Sequence, residues 1–159
     1  MKLEFKHLKD IDCSEIIALN TNDLVIRHMP LSNDHFDESE CRKWVEAKEK
    51  QWAEHGYGPW AFLIDGEFAG WGGFQYEGGD ADLGLVLNPD YWGTGKYIFD
   101  EIIKRGFGEL GFESITILLP PSRTRINSFQ KLGFVPDGEV EIDGEQFNRF
   151  RLFSPQKQA

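Results

Sequence analysis

Residues 81–119 constrain the fold more than any other part of the chain. Ala81–Leu87 is a strand-forming run, and Gly93-Thr94-Gly95 is a glycine turn. Ile98, Ile102, Ile103 and Phe107 then recur at the spacing of one helical face. Gly111 stops that helix, and Ser114-Ile115-Thr116-Ile117-Leu118-Leu119 follows as a nearly continuous apolar run ending at Pro120-Pro121. Such continuity is expected of a strand buried on both faces. A helix joining two strands of one sheet is a crossover, so the two strands run parallel.

Elsewhere, turn chemistry dictates antiparallel pairing. Asp65-Gly66 predicts a hairpin between Trp60–Ile64 and Glu67–Gln75. Gly78-Gly79-Asp80 turns the chain into Ala81–Leu87, and Asp143-Gly144 joins Val140–Ile142 to Gln146–Phe153, after a turn at Asp137-Gly138. Leu3–Leu8 reads as a first strand, and Asp12 as the cap of a short helix through Leu19. A loop spans residues 21–35. Asp37 with Glu40 opens a helix to His55, with Trp44, Val45 and Trp52 on or near one face, and Gly56 and Gly58 end it. Ser122 is read as capping a helix to Leu132, stopped by Gly133. No repeat or linker interrupts the chain. The fold class is therefore α/β (α+β): one domain over residues 1–159, with a mostly antiparallel mixed sheet and one parallel βαβ pair.

Charge and cysteine content narrow the function. The net charge is -10, which argues against a nucleic-acid partner, whose phosphates want a basic surface. It would suit a cationic amine, although acidity for solubility alone accounts for it more simply. Residues 96–131 depart from this balance, with six basic residues against four acidic ones. Cys13 and Cys41 imply neither a disulfide framework nor a metal site, and His7, His28, His35 and His55 are scattered, so no metal is expected. The N-terminus lacks an apolar signal core and no run reaches membrane-spanning length, so a cytoplasmic setting without a membrane partner is expected.

The glycine turn exposes backbone N–H groups at a helix N-terminus, a geometry that receives phosphate. Several further stretches accompany it: Thr21-Asn22-Asp23 through His28-Met29-Pro30, Gly66-Glu67-Phe68-Ala69-Gly70 before Gly73, Pro89-Asp90-Tyr91-Trp92 leading into the turn, and Lys131-Leu132-Gly133-Phe134. In this order, and with these elements, the chain resembles the GNAT superfamily of N-acetyltransferases, and within it the ribosomal-protein alanine acetyltransferase (RimJ/RimL) type. The resemblance implies transfer of an acetyl group from acetyl-CoA to a primary amine, a small molecule or a protein N-terminus; the many aromatics leave monomer and homodimer both open. A non-catalytic CoA-binding or interaction module on the same fold is the alternative.

The resemblance also implies roles for residues. Trp92, Gly93, Thr94, Gly95 and Lys96 would receive the CoA pyrophosphate, and a bulge in the strand before them would present the backbone of Leu85, Val86 and Leu87 to the acetyl arm. Asp82 falls where some relatives place a general-base glutamate. Ser122 stands at the position of an asparagine that contacts the pantetheine arm, and Arg123 or Arg125, with Arg125 chosen, would meet a CoA phosphate. Met29–Phe36, Trp60, Phe74 and Phe147 would build the acceptor side, from which His28 and His35 are left out. Two positions depart from the pattern. Tyr97 stands where a small residue is usual, and Phe129 where a tyrosine often protonates the departing thiolate; a phenyl ring has no proton to give.

Overall fold

The computed structural model describes residues 1–27 and 36–155. Its elements are β1 (Leu3–Lys6), α1 (Cys13–Asn20), α2 (Asp23–Ile26), α3 (Glu38–His55), β2 (Pro59–Ile64), β3 (Glu67–Glu77), β4 (Asp80–Leu87), α4 (Gly95–Phe107), β5 (Ser114–Leu119), α5 (Asn127–Leu132), β6 (Val135–Ile142) and β7 (Glu145–Phe153). They build one seven-stranded sheet in the order β1-β2-β3-β4-β5-β7-β6. Every neighbouring pair is antiparallel except β4 and β5, which run parallel across the α4 crossover. Both Asp-Gly hairpins form as read: Asp65 and Asp143 have φ of 50° and the glycines after them φ of 84°. Positive φ at both central residues gives the tight turn whose twist matches the strands.

The two faces of the sheet are covered by different helices. Ile98 and Ile102 of α4 are fully buried in a cluster with Phe62, Phe74 and Ile115. On the other face, Ile16 of α1 and Cys41 of α3 are fully buried with Leu8, Ala61 and Trp71. Burying each large apolar side chain contributes about 1.5–3 kcal/mol. Strand alternation divides β4 between the two: Leu83 and Leu87 join the α4-side cluster, Val86 the α3-side one. Asp82 and Gly84 share the parity of Val86 and lie on the α3 side. Trp60 and Phe74, expected on the acceptor side, are buried in the α4-side core. Among the described residues no helix is long and apolar enough to cross a membrane.

Several local expectations change. Asn22 opens α2 inside what reads as a loop, its Oδ1 accepting from Leu24 N–H at 2.9 Å and Val25 N–H at 3.4 Å. Asp12 precedes α1 as read, but its carboxylate accepts no capping bond. β1 stops at Lys6, and Leu8 is buried from a 3₁₀ turn over Leu8–Asp10. Ser122 caps nothing: Arg123 N–H donates to Pro120 O at 2.9 Å, closing a turn, and α5 begins only at Asn127. Consecutive prolines, with fixed φ and no N–H, favour that turn. Asp137-Gly138 is a bulge within β6, between Pro136 and Glu139. The β3–β4 register runs unshifted from Gly70–Leu87 to Glu77–Asp80, so the bulge implied for β4 is absent from this pairing. Residues 29–35 of the expected acceptor stretch, with His28, lie outside the described residues.

Candidate active site

β4 and β5 share a single register pair, Asp82 opposite Thr116. Beyond it β4 continues to Leu87 and β5 to Leu119 without pairing, so the strands splay. The carbonyl of Leu87 points into this gap and accepts from Trp92 Nε1 at 3.0 Å. In a strand the N–H and C=O of one residue point the same way, and residue i−2 repeats the direction. The N–H groups of Leu85 and Leu87 therefore also face the gap.

Asp82 marks the vertex. The Thr116 hydroxyl donates to its Oδ1 at 2.8 Å. Burial pushes the Asp82 carboxyl up to about 7; the Thr116 hydrogen bond opposes this, the charges of Glu77 and Asp80 reinforce it, and Arg149 opposes it. A carboxyl tuned to that range takes up and releases a proton near neutral pH. Register continues the row across the sheet, from Gln75 to Asp82 to Thr116 to Arg151. Arg151 Nη1 donates to Asp80 and Ser114, and its Nε to Asp137, all within 2.9 Å. Those bonds tie β4, β5, β6 and β7 together beneath the gap.

Clefts adjoin the splay from both sides. One of about 440 Å³ is lined by Leu85, Val86, Leu87, Trp92, Gly95 and Arg123, with Val25 across from them. A smaller one, about 280 Å³, shares Leu85, Gly95 and Arg123 and adds Lys96, Phe99 and Phe129. A third, about 710 Å³, holds Ser122 and the guanidinium-bearing Arg27, Arg123 and Arg125 beside Glu145. On the α3 face a fourth, about 390 Å³, is lined by Asp82, Gly84, Leu85 and Val86 together with Trp44, Lys48, Gln75 and Phe147.

Of the residues read as cofactor contacts, the fold thus gathers Leu85, Val86, Leu87, Trp92, Gly95 and Lys96 around the gap and sets Ser122 and Arg125 next to it. Gly93 and Thr94 do not line these clefts. They lie in a 3₁₀ turn over Pro89–Thr94, where the Thr94 hydroxyl donates to Tyr91 O at 2.6 Å. Lys96 pairs with Asp100 at 2.9 Å along α4. Arg123, passed over in favour of Arg125, borders three of the clefts, with its guanidinium 5.1 Å from the Phe129 ring centroid.

Residues 2–135 match the acetyltransferase (GNAT) domain family. The chain belongs to the GNAT acetyltransferases. Solved structures share the fold. A spermidine N-acetyltransferase from Vibrio cholerae, in complex with CoA and spermine, superposes with a TM-score of 0.75 at 15% identity, over 99% of this chain and 98% of that one. A putative GNAT-family acetyltransferase from Bordetella pertussis gives 0.72 at 16% identity over 94% of both chains. One from Bacillus anthracis gives 0.69 at 17%, over 97% and 96%.

Within the GNAT fold, both departures now have a place. Tyr97 is 53% exposed and lines none of the clefts above, so its bulk turns away from the gap. Phe129 packs on Phe99 and Phe134, with centroids 5.7 and 6.2 Å apart, and walls the smaller cleft with carbon. Sequence reasoning missed Lys48, Gln75, Thr116 and Arg27. Lys48 follows Trp44 by one helical turn, which places both on one face of α3 and was the available signal.

Proposed function

We propose that this protein transfers the acetyl group of acetyl-CoA to a primary amine, with the cofactor in the clefts around Gly95 and Arg123 and the amine entering beside Asp82. The observation that carries the reading is the single β4–β5 register pair, with a carboxyl of raised pKa at the vertex and cleft walls on both sides. The residues present suit CoA. Gly95 leaves room at the start of α4, and Arg27, Arg123 and Arg125 offer charge for phosphates. The Vibrio cholerae neighbour, described with CoA and spermine, supports a CoA-type cofactor and an amine acceptor on this fold.

Each chemical need then has a named group. Asp82 takes the proton that makes the amine nucleophilic. The Leu85 and Leu87 N–H groups face the carbonyl oxygen as it gains charge. Phe129 donates no proton, so sulfur departs as a thiolate, tolerable for a thiol of pKa about 8.5. The test is a thermal melt with acetyl-CoA followed by thiol release across a panel of amines. Acetyl-CoA at one hundred times its Kd should stabilise the protein by about 2.7 kcal/mol. Stabilisation without thiol release from any amine would replace this reading with that of a CoA-binding module.

A further inference from the structure

The α3-side cleft contains a cation that the chemistry above leaves unused. Lys48 projects from α3 into the cleft that Asp82 lines. Its ammonium donates to Gln75 Oε1 and lies 5.5 and 5.3 Å from the ring centroids of Trp44 and Trp71. These partners are a neutral amide and two ring faces, none of them an anion. Burial pushes the Lys48 ammonium down to about 8, so it remains mostly charged at neutral pH while partly stripped of water. A cation so placed gains from an incoming carboxylate far more than an exposed one does.

The geometry also supplies a second donor. Gln75 is the register partner of Asp82. With Oε1 accepting from Lys48, Gln75 keeps its Nε2 hydrogens for another partner. The floor beside it is bare: a Cβ built on Gly84 would have only Gln75 Nε2 within reach, at 4.0 Å. Lys48 and Gln75 Nε2 thus border an open floor at Gly84, two residues along β4 from Asp82. The remaining wall is apolar, with Leu118, Ile142 and Phe147. Tyr76 and Glu77 line the exposed rim of the cleft, and the Glu77 charge, which helps raise Asp82, opposes an anion there more weakly than the buried Lys48 ammonium attracts it.

Resting on the transfer reaction proposed above, we infer that the acceptor is a small amine that also bears a carboxylate, an amino acid with an apolar side chain, whose carboxylate is held by Lys48 and Gln75. The amine nitrogen bonds to the acetyl carbon as the carbon–sulfur bond breaks. Asp82 takes the proton that frees the ammonium as an amine, the second N–H proton passes through solvent to the departing thiolate, and the products are an N-acetyl amino acid and CoA as its thiol. A polycationic amine is disfavoured, because the fixed ammonium of Lys48 repels it inside a low-dielectric cleft. A chain N-terminus is disfavoured because its own carboxylate has become an amide.

The test compares phenylalanine, phenylalaninol and phenethylamine, which share a body and an amine and differ in the carboxylate, with spermidine as the polycation. Acetylation is followed by thiol release, and binding separately by tryptophan fluorescence in the presence of CoA. Phenylalanine should exceed the two carboxylate-free analogues at least tenfold in kcat/KM and in affinity. Lys48→Met should erase that ratio, chiefly through KM, while Lys48→Arg keeps most of it and Lys48→Met leaves acetyl-CoA affinity as it was. A merely structural lysine would not produce this carboxylate-dependent split. Turnover that favours phenethylamine or spermidine, or a preference insensitive to Lys48→Met, overturns the inference while the transferase reading stands. Carboxylate-selective, Lys48-dependent binding with no turnover supports the inference about the site and overturns the transferase reading. Absence of selective binding and of turnover overturns both.

Discussion

At the scale of the residue, the proposed role of Asp82 as the base predicts opposite pH trends for activity and stability. Its carboxyl sits at about 7 against an ordinary 3.8, with burial as the main cause. Between those two values the native state holds a proton that the unfolded chain has released. The stability contributed by the protonated form is therefore complete below the ordinary value and is lost as pH rises through about 7. Activity should run the other way, because only the carboxylate accepts a proton. Asp82→Asn should lower kcat/KM by about a hundredfold or more and abolish the rise in rate through neutral pH. The same variant should gain in melting temperature over the wild type at pH 8 relative to pH 5. Paired melts and pH–rate profiles check both, and a variant as active as wild type would remove Asp82 from the chemistry.

At the scale of the element, the start of α4 carries the cofactor argument through one missing methyl group. Gly95 has φ of -55° and ψ of -45°, ordinary helical values that alanine also adopts. A Cβ there would meet Leu87 Cδ1 at 3.7 Å, a normal contact. The fold does not require glycine at this position. Gly95→Ala should therefore stabilise the protein by about 0.4–1 kcal/mol through the lower entropy of the unfolded chain. Because Gly95 and Leu87 are walls of one cleft, the same methyl should weaken acetyl-CoA binding several-fold. A melt and a cofactor titration on one variant give the two signs, and unchanged affinity would move the cofactor away from Gly95. Elements of this kind were legible where turn chemistry is local. Asp65-Gly66 and Asp143-Gly144 gave their hairpins, and the apolar run 114–119 gave the parallel strand. Asn22 was not read as a cap because α2 is a single turn with no periodicity to announce it. Ser122 misled because a cap needs a helix beyond it, and Pro120-Pro121 had already set a different turn. Lys48 and Gln75 were invisible for another reason: 27 residues separate them in sequence, and only sheet register brings Gln75 beside Asp82.

At the scale of the whole molecule, the sheet acts as a partition with an opening. The cleft at Gly95 and Arg123 and the cleft at Lys48 and Asp82 have different walls yet share Leu85 and Val86, the two β4 residues at the splay. In the proposed reaction, two substrates approaching from these sides would meet without either leaving first. An acyl-enzyme route would need a nucleophile in the gap. Neither cysteine lines these clefts, and burial pushes the Cys41 thiol up to about 12, with Cys13 and Glu38 adding to the shift. A thiol at that value is not a nucleophile at neutral pH. Transfer should therefore be direct, through a complex holding both substrates. Initial-rate plots at several fixed amine concentrations should intersect. CoA should compete with acetyl-CoA while inhibiting non-competitively against the amine. Parallel lines, or acetyl transfer to the protein in the absence of amine, would mean that the two substrates do not bind together and that a group at the gap, such as the Ser128 hydroxyl of the smaller cleft, carries the acetyl group between them.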